Sequence, residues 1–317
     1  MSTDVATSTL SFPSHDGGHD IVATVWQPAS ADAARAPRGV VQLVHGMSEH
    51  IGRYDDFARH LVSCGFVVCG EDHIGHGRSV DSPEQLGCLP PDGAGALVEN
   101  VHELRGIVAP RVAPDTPYVL FGHSMGSFIS RAYLARHGQG LAAAVLCGTG
   151  QQPLAVSRAG NLLARALCAL RGVDYRSSFI DGMGAGAYSK QIDGARTPFD
   201  WLNTDPAGVD AYIADPLCGF MFSVGGYAAL TALTGEIATA RCVEAVPKEL
   251  PVLFIAGDQD PVGACGAGVR QAAEALERAG VADVTVRLYE GMRHEVLNEP
   301  GHAQVYADVT DWIGARL

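Results

Sequence analysis

A series of short strand-like segments separated by helical patterns constrains the fold of this chain more than any other feature. Residues 38–46, RGVVQLVHG, form a continuous apolar run of strand length, which is typical of a strand buried on both faces. Similar segments follow at residues 66–71, 118–122, 142–148, 251–257 and 284–290, and helices are predicted at 55–64, 93–109, 125–137, 268–280 and 302–315. Because alternating strands and helices form βαβ units, the sequence predicts an α/β protein with a doubly wound, mostly parallel sheet.

Two further regions complete the predicted organisation. Residues 9–27 surround the turn signal HDGGHD and predict an antiparallel hairpin at the start of the fold. Residues 149–245 contain helix-like segments with glycine and proline punctuation and no convincing core strand. A helical insertion between two parallel strands indicates a lid over the carboxyl ends of the strands, where such sheets bind ligands. We therefore predict a core at residues 1–148 and 246–317, with a helical cap at 149–245 inserted after the sixth strand.

Charge and cysteine content limit the possible partners. The net charge is −13 and no basic run occurs, so a nucleic acid is not expected as a partner. The beginning of the sequence has no secretory pattern, and no apolar run approaches the roughly 20 residues of a membrane span, so stable membrane insertion is not expected. The eight cysteines are scattered without a CxxC pair, which favours reduced, buried thiols and a cytoplasmic location. The oligomeric state does not follow from the sequence.

One turn in this pattern has the features of a catalytic nucleophile. In LFGHSMGSF, residues 120–128, Ser124 lies between Gly122 and Gly126, after a predicted strand and before a predicted helix. Glycines at these positions are expected where a tight, strained turn leaves no room for a β-carbon. In this context G-x-S-x-G is the pattern of a nucleophile elbow, and the free N–H groups of the following helix favour developing negative charge. We therefore predict that Ser124 is a nucleophile.

A serine nucleophile needs a general base and a carboxylate that orients the base. In this architecture the expected chain order is serine, then aspartate or glutamate, then histidine. Asp260 and His294 lie in the loops after the last two predicted strands, on the same edge of the sheet as Ser124. We predict that His294 is the general base and acid and that Asp260 orients it. Asp258 and His302 are the alternatives, although His302 begins the last predicted helix instead of following a strand.

An acyl-transfer site also needs hydrogen-bond donors for a tetrahedral oxyanion. The backbone N–H of Met125, directly after the serine, is the first predicted donor. The second is expected from the loop after the first central strand, VHGMSEH. In this loop Gly46 permits close approach, and we predict that the N–H of Met47 is the donor. An ordinary strand-to-helix turn is the alternative.

These residues belong to an ordered set of segments that resembles the α/β-hydrolase superfamily, specifically its monoacylglycerol lipase and lysophospholipase-like group of the serine aminopeptidase S33 type. The segments are HGMSEHIGRYDDFARHL (45–61), DHIGHGRS (72–79), GHSMG (122–126), GDQDPVG (257–263) and YEGMRHEVLNE (289–299), and together they cover most of the predicted core. The resemblance implies a catalytic triad of Ser124, Asp260 and His294 and backbone donors at Met47 and Met125. It also implies a helical cap and no cofactor.

The resemblance extends to residues around the predicted site. Glu49 and Arg53 look like the pair that braces the oxyanion loop beneath the cap in such enzymes, and with His45 they are candidate substrate-binding residues. The alternative is a surface helix pair four residues apart. In the cap, the further candidates for contact with an acyl chain are Phe199, Trp201, Phe220 and Phe222, with Met221 beside them. Apolar cap residues can instead simply pack the cap onto the core.

One stretch could suggest a metal site. DHIGHGRS contains Asp72, His73 and His76, but it follows a strand and looks like the family's structural turn near the active site. We therefore predict no metal.

The function that accounts best for these features is a serine ester hydrolase. We expect it to cleave a small-molecule ester or lipid, such as a monoacylglycerol, a lysophospholipid or a small acyl ester, through an acyl-serine intermediate. An acyltransferase of the same superfamily would keep the serine nucleophile and transfer the acyl group to an acceptor other than water. An aminopeptidase would keep the nucleophile and cleave an amide bond instead of an ester bond. A receptor that kept the fold and lost turnover is a further alternative, which an incomplete triad would favour, and the predicted triad is complete.

Overall fold

The computed structural model of the chain describes residues 4–30, 34 and 36–317. It contains one eight-stranded sheet in the order β1-β2-β4-β3-β5-β6-β7-β8. The strands are β1 (Val5–Pro13), β2 (Asp20–Pro28), β3 (Gly39–Val44), β4 (Phe66–Asp72), β5 (Tyr118–His123), β6 (Ala143–Cys147), β7 (Val252–Gly257) and β8 (Val284–Tyr289). The β1–β2 and β2–β4 pairs are antiparallel and the other five pairs are parallel. The predicted opening hairpin and the mostly parallel sheet are therefore confirmed.

Helices follow most of the parallel strands. In chain order they are α1 (Asp55–Ser63), α2 (Gly93–Val108), α3 (Met125–His137), α4 (Leu154–Arg171), α5 (Ser178–Met183), α6 (Pro206–Ala214), α7 (Val224–Ile237), α8 (Ala240–Ala245), α9 (Ala267–Arg278) and α10 (His302–Gly314). The helices predicted after the central strands agree with these bounds to within two residues. The apolar periodicity of a long helix and the length of a buried strand are local signals, which is why the sequence predicted them well.

The sheet is covered on both faces because the central strands are apolar on both faces. In β5, Val119 and Phe121 pack in a buried cluster with Phe57 of α1. Leu120, between them, points to the opposite face and packs in a second cluster with Ile129 of α3. This alternation is the period of two that a strand imposes on its side chains. The two clusters form the core on either side of the sheet, as a doubly wound arrangement requires.

The long segment between β6 and β7 is helical. Within the part of the chain that the structure describes, α4 to α8 lie in this segment and no strand of the sheet does. The helix-like segments of the sequence in this region, AGNLLARALCALRG and GGYAALTALTG, correspond to α4 and α7, which pack against each other in the larger cluster. The sequence missed α5, α6 and α8, because helices of six to nine residues give too few turns for a periodic signal.

Among the helices that the structure describes, none combines the length and the apolar character that a bilayer span requires.

Candidate active site

Ser124 lies on the sharp turn that joins β5 to α3. Its backbone has φ 54° and ψ −121°, a conformation that is strained for a residue with a side chain. A β-carbon at Gly126 would overlap the carbonyl group of Val44, and one at Gly122 would overlap the backbone of Gly126. Both glycines are therefore needed because neighbouring backbone passes too close for any side chain. The structure has the strand–turn–helix geometry of a nucleophile elbow at this position.

The predicted acid and base are in contact. Asp260 follows β7 and His294 follows β8, and the Nδ1 of His294 lies 2.9 Å from Oδ2 of Asp260. The other carboxylate oxygen of Asp260 accepts the N–H of Val262 at 2.9 Å. Asp260 is 0% exposed and His294 is 1% exposed, so water does not compete for this hydrogen bond. The carboxylate therefore holds the Nδ1–H tautomer of the imidazole in place.

The two alternative residues have other contacts. Asp258 accepts the N–H of Gly291 at 2.8 Å and so joins the loop after β7 to the turn after β8. His302 is the first residue of α10, and its Nδ1 lies 2.7 Å from the carbonyl oxygen of Glu299. Both residues stabilise local backbone, and neither is hydrogen-bonded to the imidazole of His294.

The second nitrogen of His294 is free. Its Nε2 is buried and has no hydrogen-bond partner among the residues that the structure describes. The His294 ring lies near the elbow, because its centroid is 4.8 Å from that of His123, the residue before Ser124. The structure therefore brings His294 to the turn that carries Ser124, without a direct hydrogen bond between the two side chains.

The predicted oxyanion donors are two unpaired backbone groups. Met125 begins α3 directly after Ser124, and Met47 lies in the loop after β3. Neither backbone N–H donates a hydrogen bond within the described part of the chain. Ser48, next to Met47, has a φ of 56°, so this loop is also held in a strained conformation. Unpaired N–H groups at a helix start and in a strained loop beside the proposed nucleophile are suited to binding an anionic oxygen.

A buried polar network holds the loop after β3. The carboxylate of Glu49 accepts hydrogen bonds from the N–H of Gly46 at 2.6 Å and from the hydroxyl of Tyr54 at 2.8 Å. Arg53 donates to Glu49 at 2.8 Å and also forms a bidentate pair with Glu295. The network joins the loop to the residue that directly follows the proposed base. The sequence indicated Glu49 and Arg53 as a brace of the oxyanion loop and as candidate substrate-binding residues. In the structure both side chains take part in this network.

The network keeps its charges despite burial. Burial alone would raise the pKa of Glu49, but its hydrogen bond with His123 and the positive charge of Arg53 lower that pKa well below its usual value. Burial alone would lower the pKa of Arg53, but Glu295 and Glu49 raise it well above its usual value. The Glu49 carboxylate and the Arg53 guanidinium group therefore stay ionised.

His123 is a residue of the site that the sequence reasoning missed. Its Nδ1 lies 2.9 Å from the Tyr54 hydroxyl and 3.3 Å from Glu49, and its Nε2 lies 3.3 Å from the carbonyl oxygen of His294. Burial alone would lower the pKa of His123, but the hydrogen bond with Glu49 and the charge of Glu49 raise it. A protonated ring with two N–H donors fits these surroundings. His123, Tyr54 and Glu295 all lie inside or beside quoted motifs, but only the fold reveals that they meet.

His45, which the sequence named as a candidate substrate-binding residue, is fully buried. Its Nδ1 donates to the carbonyl oxygen of Gly46, and its Nε2 accepts the N–H of His73. Burial is the main cause that lowers the pKa of His45 well below its usual value, and a second positive charge next to the His73 and His76 rings would be unfavourable as well. His45 therefore has no polar ring atom left to offer a substrate and supports the loop instead.

The stretch DHIGHGRS (72–79), whose histidines could suggest a metal site, is hydrogen-bonded to the surrounding backbone. The Nδ1 of His76 donates to the carbonyl oxygen of Ile74, and its Nε2 accepts the N–H of Ser48. Burial lowers the pKa of His76 to about 3, so this ring is neutral. Asp72 accepts the N–H of Ile51 and the side chain of Arg78. These groups hold the turn and the loop after β3 together.

The aromatic candidates of the inserted segment differ in position. The ring of Trp201 lies 5.0 Å from that of His294, measured between centroids. Phe199 packs against Tyr212, and Phe220 and Phe222 pack around His76. Trp201 thus reaches the proposed base, while the other three rings have packing partners within the protein.

Trp201 is held beside His294 by hydrogen bonds between two loops. Leu202 accepts the N–H of Glu295 at 2.8 Å, so the residues after Trp201 and His294 are paired. The carboxylate of Glu299 accepts the N–H of Arg293 at 2.8 Å and the N–H of Thr204 at 3.1 Å. The inserted segment is thereby fixed to the loop that carries the imidazole.

Comparison with known proteins gives consistent matches over nearly the whole chain. The family model described as serine aminopeptidase, S33 matches residues 35–301. The chain is 34% identical over 304 residues to a monoacylglycerol lipase of Mycolicibacterium smegmatis, and the match covers 95% of each protein. It is 25% identical over 309 residues to the mouse monoglyceride lipase, and this match covers 95% of this chain and 88% of the relative. A solved structure of a thermostable carboxyl esterase from Bacillus coagulans, in complex with glycerol, matches with a TM-score of 0.90 and 33% identity, covering 98% of this chain and 99% of that one.

Proposed function

The chain belongs to the serine aminopeptidase S33 family of the α/β-hydrolase superfamily, and we propose that it hydrolyses monoacylglycerols through an acyl intermediate on Ser124. It is a serine hydrolase of carboxylic esters, and the relatives that match nearly its whole length include a monoacylglycerol lipase and a carboxyl esterase. Its substrate is a small-molecule ester. Acyl transfer and peptide hydrolysis, which the sequence left open, are not favoured by these relatives.

In the first half of the proposed reaction, the Oγ of Ser124 attacks the ester carbonyl carbon. His294 takes the hydroxyl proton on Nε2, while Asp260 accepts the Nδ1–H and stabilises the imidazolium. The backbone N–H groups of Met47 and Met125 donate to the oxyanion of the tetrahedral intermediate. His294 then passes its proton to the leaving glycerol oxygen, the carbon–oxygen bond breaks, and the acyl group remains on Ser124.

In the second half, His294 takes a proton from water, and the resulting nucleophile attacks the acyl carbon. The tetrahedral intermediate collapses, the proton returns to Oγ of Ser124, and the fatty acid leaves. The observation that best supports this proposal is the 2.9 Å contact between Asp260 and His294 together with the free Nε2 of that ring. A buried, correctly oriented imidazole with one unused nitrogen beside a nucleophile elbow is suited to this proton transfer.

We further propose that residues 149–245 act as a cap over the site, with the core at 1–148 and 246–317. The support is that Trp201 of this segment packs on His294, which is only 1% exposed. A substrate carbonyl could not approach such a buried imidazole unless part of the segment moved away. An acyl chain would then lie among the apolar side chains of the cap.

The nucleophile is tested with a fluorophosphonate probe, which reacts with activated serines. We expect the wild type to be labelled and Ser124→Ala to be unlabelled and at least about 10³-fold less active, since the proposed acyl intermediate forms on the Ser124 hydroxyl. Ser63→Ala is the matched control, because Ser63 lies on the exposed surface of α1 and donates only to the carbonyl oxygen of His60. Labelling that persists in folded Ser124→Ala would contradict the assignment.

The substrate class is tested separately with wild-type protein. Monoacylglycerols, a lysophospholipid, a diacylglycerol and p-nitrophenyl esters of increasing chain length are compared by kcat/KM. We expect the monoacylglycerols to be the best of the glycerol esters. A higher kcat/KM for the lysophospholipid would overturn the substrate proposal and leave the nucleophile unaffected.

A cytoplasmic location stays a proposal. Its support is that all eight cysteines are unpaired, which is usual in a reducing compartment.

A further inference from the structure

Three side chains that commonly bind metals lie where the loop after β3 meets the inserted segment. His50 comes from the loop, and Asp215 and Cys218 come from the insertion. The Nε2 of His50 lies 2.9 Å from Oδ2 of Asp215, and one ligand atom from each of the three residues lies within 4.8 Å of the other two. Although the sequence led us to expect no metal, we propose that these three side chains form a zinc site whose fourth position is open to solvent.

The spacing of two of these residues is typical of zinc sites. Asp215 and Cys218 are separated by two residues, as are the paired ligands in C-x₂-C zinc sites. They lie in a tight turn in which the N–H of Cys218 donates to the carbonyl oxygen of Asp215 at 3.0 Å. The unused oxygen of Asp215 accepts the N–H of Leu217 at 2.9 Å, which orients the carboxylate. The turn therefore presents both side chains in the same direction without any metal.

The third ligand is held in place from the opposite side. Ser48, two residues before His50, accepts the N–H of Gly219 at 2.9 Å and the hydroxyl of Tyr212 at 2.8 Å through its carbonyl oxygen. The hydroxyl of Ser48 donates to the carbonyl oxygen of Phe220 at 2.7 Å. The backbone on both sides of the cluster is thus already joined, and binding needs no rearrangement of the loops.

The distances are close to those of a tetrahedral zinc site. Zinc bonds of about 2.0–2.3 Å imply separations of about 3.4 Å between a nitrogen and an oxygen ligand and about 3.6 Å between a nitrogen and a sulfur ligand. The Nε2 of His50 and the Oδ2 of Asp215 would move slightly apart from 2.9 Å, and the ion would replace the proton between them. The sulfur of Cys218 lies within 4.8 Å of the other two ligand atoms and would approach them by roughly 1 Å, which a rotation about its Cα–Cβ bond can supply. The side chains of His50 and Asp215 are 18% and 31% exposed, so an ion can enter from solvent.

The surrounding charges favour a cation. Two carboxylates lie in the cluster or directly beside it, Asp215 as one of its members and Glu49 as the residue before His50. Arg53 is itself paired with Glu49 and Glu295, so its positive charge is already balanced. A divalent ion at this place would neutralise a locally negative region and bind the thiolate form of Cys218.

The donor set selects zinc among common ions. One thiolate, one imidazole and one carboxylate, with an open fourth position, match zinc, and hard ions such as Mg²⁺ and Ca²⁺ prefer oxygen ligands alone. The bound ion would connect the loop that carries Met47 to the inserted segment. This site is separate from the proposed triad and does not depend on the proposed substrate.

The proposal is tested by titrating chelator-treated wild-type protein with ZnCl₂ by calorimetry and with CoCl₂ by absorbance. We expect one equivalent of zinc to bind and the cobalt protein to show a thiolate-to-cobalt charge-transfer band. His50→Ala, Asp215→Asn and Cys218→Ser should each weaken zinc binding at least about tenfold, and Cys218→Ser should lose the band. Zinc should also raise the melting temperature of the wild type and not that of Cys218→Ser.

Cys265→Ser is the matched control, because Cys265 is the exposed cysteine and lies outside the cluster. It should bind zinc as tightly as the wild type. Circular dichroism of each metal-free variant checks that it is folded. Either no zinc uptake by the wild type or a charge-transfer band that persists in folded Cys218→Ser would overturn the proposal.

Discussion

Four groups converge on the carboxylate of Glu49. The N–H of Gly46, the hydroxyl of Tyr54, the guanidinium of Arg53 and the ring of His123 all lie within hydrogen-bond distance of it. A buried carboxylate is stable only when such partners replace its hydration. At the residue scale, this one side chain therefore couples the strained loop after β3 to the nucleophile elbow.

We predict that His123 makes stability depend on pH. Its pKa in the folded state is raised above the value of about 6.5 in the unfolded chain. Its protonated form therefore contributes stability that is fully present below pH about 6.5 and is lost as the pH rises through the folded-state pKa. His123→Gln should lower the free energy of unfolding by about 1–3 kcal/mol at acidic pH and by less at alkaline pH. Urea unfolding of both proteins from pH about 5.5 to about 8.5 measures this difference.

His60→Gln is the control for this measurement. Burial lowers the pKa of His60, so the stability that His60 contributes changes with pH in the direction opposite to that of His123. The effect of His60→Gln should shrink as the pH falls below about 6.5. Equal pH slopes for the two variants would contradict the assignment of the raised pKa to His123.

A second prediction at this scale concerns Gly126. Its β-carbon would overlap the carbonyl of Val44, so the backbone of β3 or α3 must shift to admit one. Gly126→Ala should lose about 3 kcal/mol of stability or more, or fail to fold. Gly106→Ala is the control: Gly106 is exposed in α2 with no atom within 4 Å of the added carbon, and the change should stabilise the protein by about 0.5–1 kcal/mol. Equal effects of the two changes in thermal unfolding would contradict this interpretation.

At the element scale, the site depends on loops that follow different strands and are joined by a few buried contacts. The loop after β3 carries Met47, and the loop after β8 carries His294. Arg53 connects the two by pairing with Glu49 and Glu295 at once. The guanidinium also lies over the ring of Tyr212 in the inserted segment, 4.8 Å from its centroid. One side chain thus holds three separate elements in a fixed arrangement.

We predict that Arg53→Met destabilises the protein by about 3–5 kcal/mol, because it leaves two buried carboxylates without their cation. Adding Glu295→Gln to this variant should recover part of the loss, since one of the two unpaired charges is then removed. Chemical denaturation of the wild type and of these two variants measures both effects.

Arg59→Met is the control for the Arg53 prediction. Arg59 forms the same i,i+4 pair, with Asp55, but both side chains are nearly half exposed. Its substitution should change stability little, as is usual for exposed ion pairs. A loss as large as that of Arg53→Met would show that burial is not the deciding factor.

At the scale of the whole molecule, stability comes from two apolar clusters, one on each face of the sheet, and from no covalent cross-link among the described residues. All eight cysteines are free, and Cys69, Cys147 and Cys242 are buried. Burial raises the pKa of Cys69 to about 12, so its thiol stays protonated and unreactive in the folded state.

We therefore predict that a reducing agent does not change the melting temperature. In the native protein, a thiol reagent should modify the exposed Cys265 first and should leave the three buried cysteines unmodified. All eight should react after unfolding in guanidinium chloride. A melting temperature that falls on reduction would contradict the absence of disulfides.

The sequence by itself determined the parts of this protein that depend on local signals. Apolar runs of strand length, long periodic helices and the glycines on either side of Ser124 are properties of neighbouring residues. They predicted the sheet, most of the helices and the nucleophile elbow, because backbone sterics and burial patterns act over a few residues. Chain order within a parallel sheet was enough to propose Asp260 and His294.

Only the tertiary structure decided how distant residues meet. Asp260 and not Asp258 contacts His294, although both aspartates follow the same strand. Arg53 and Glu295 are 242 residues apart in sequence, and no local pattern predicts their pairing. Trp201 reaches the proposed base only through the fold of the inserted segment. Such contacts depend on the packing of complete elements against one another, which no short stretch of sequence encodes.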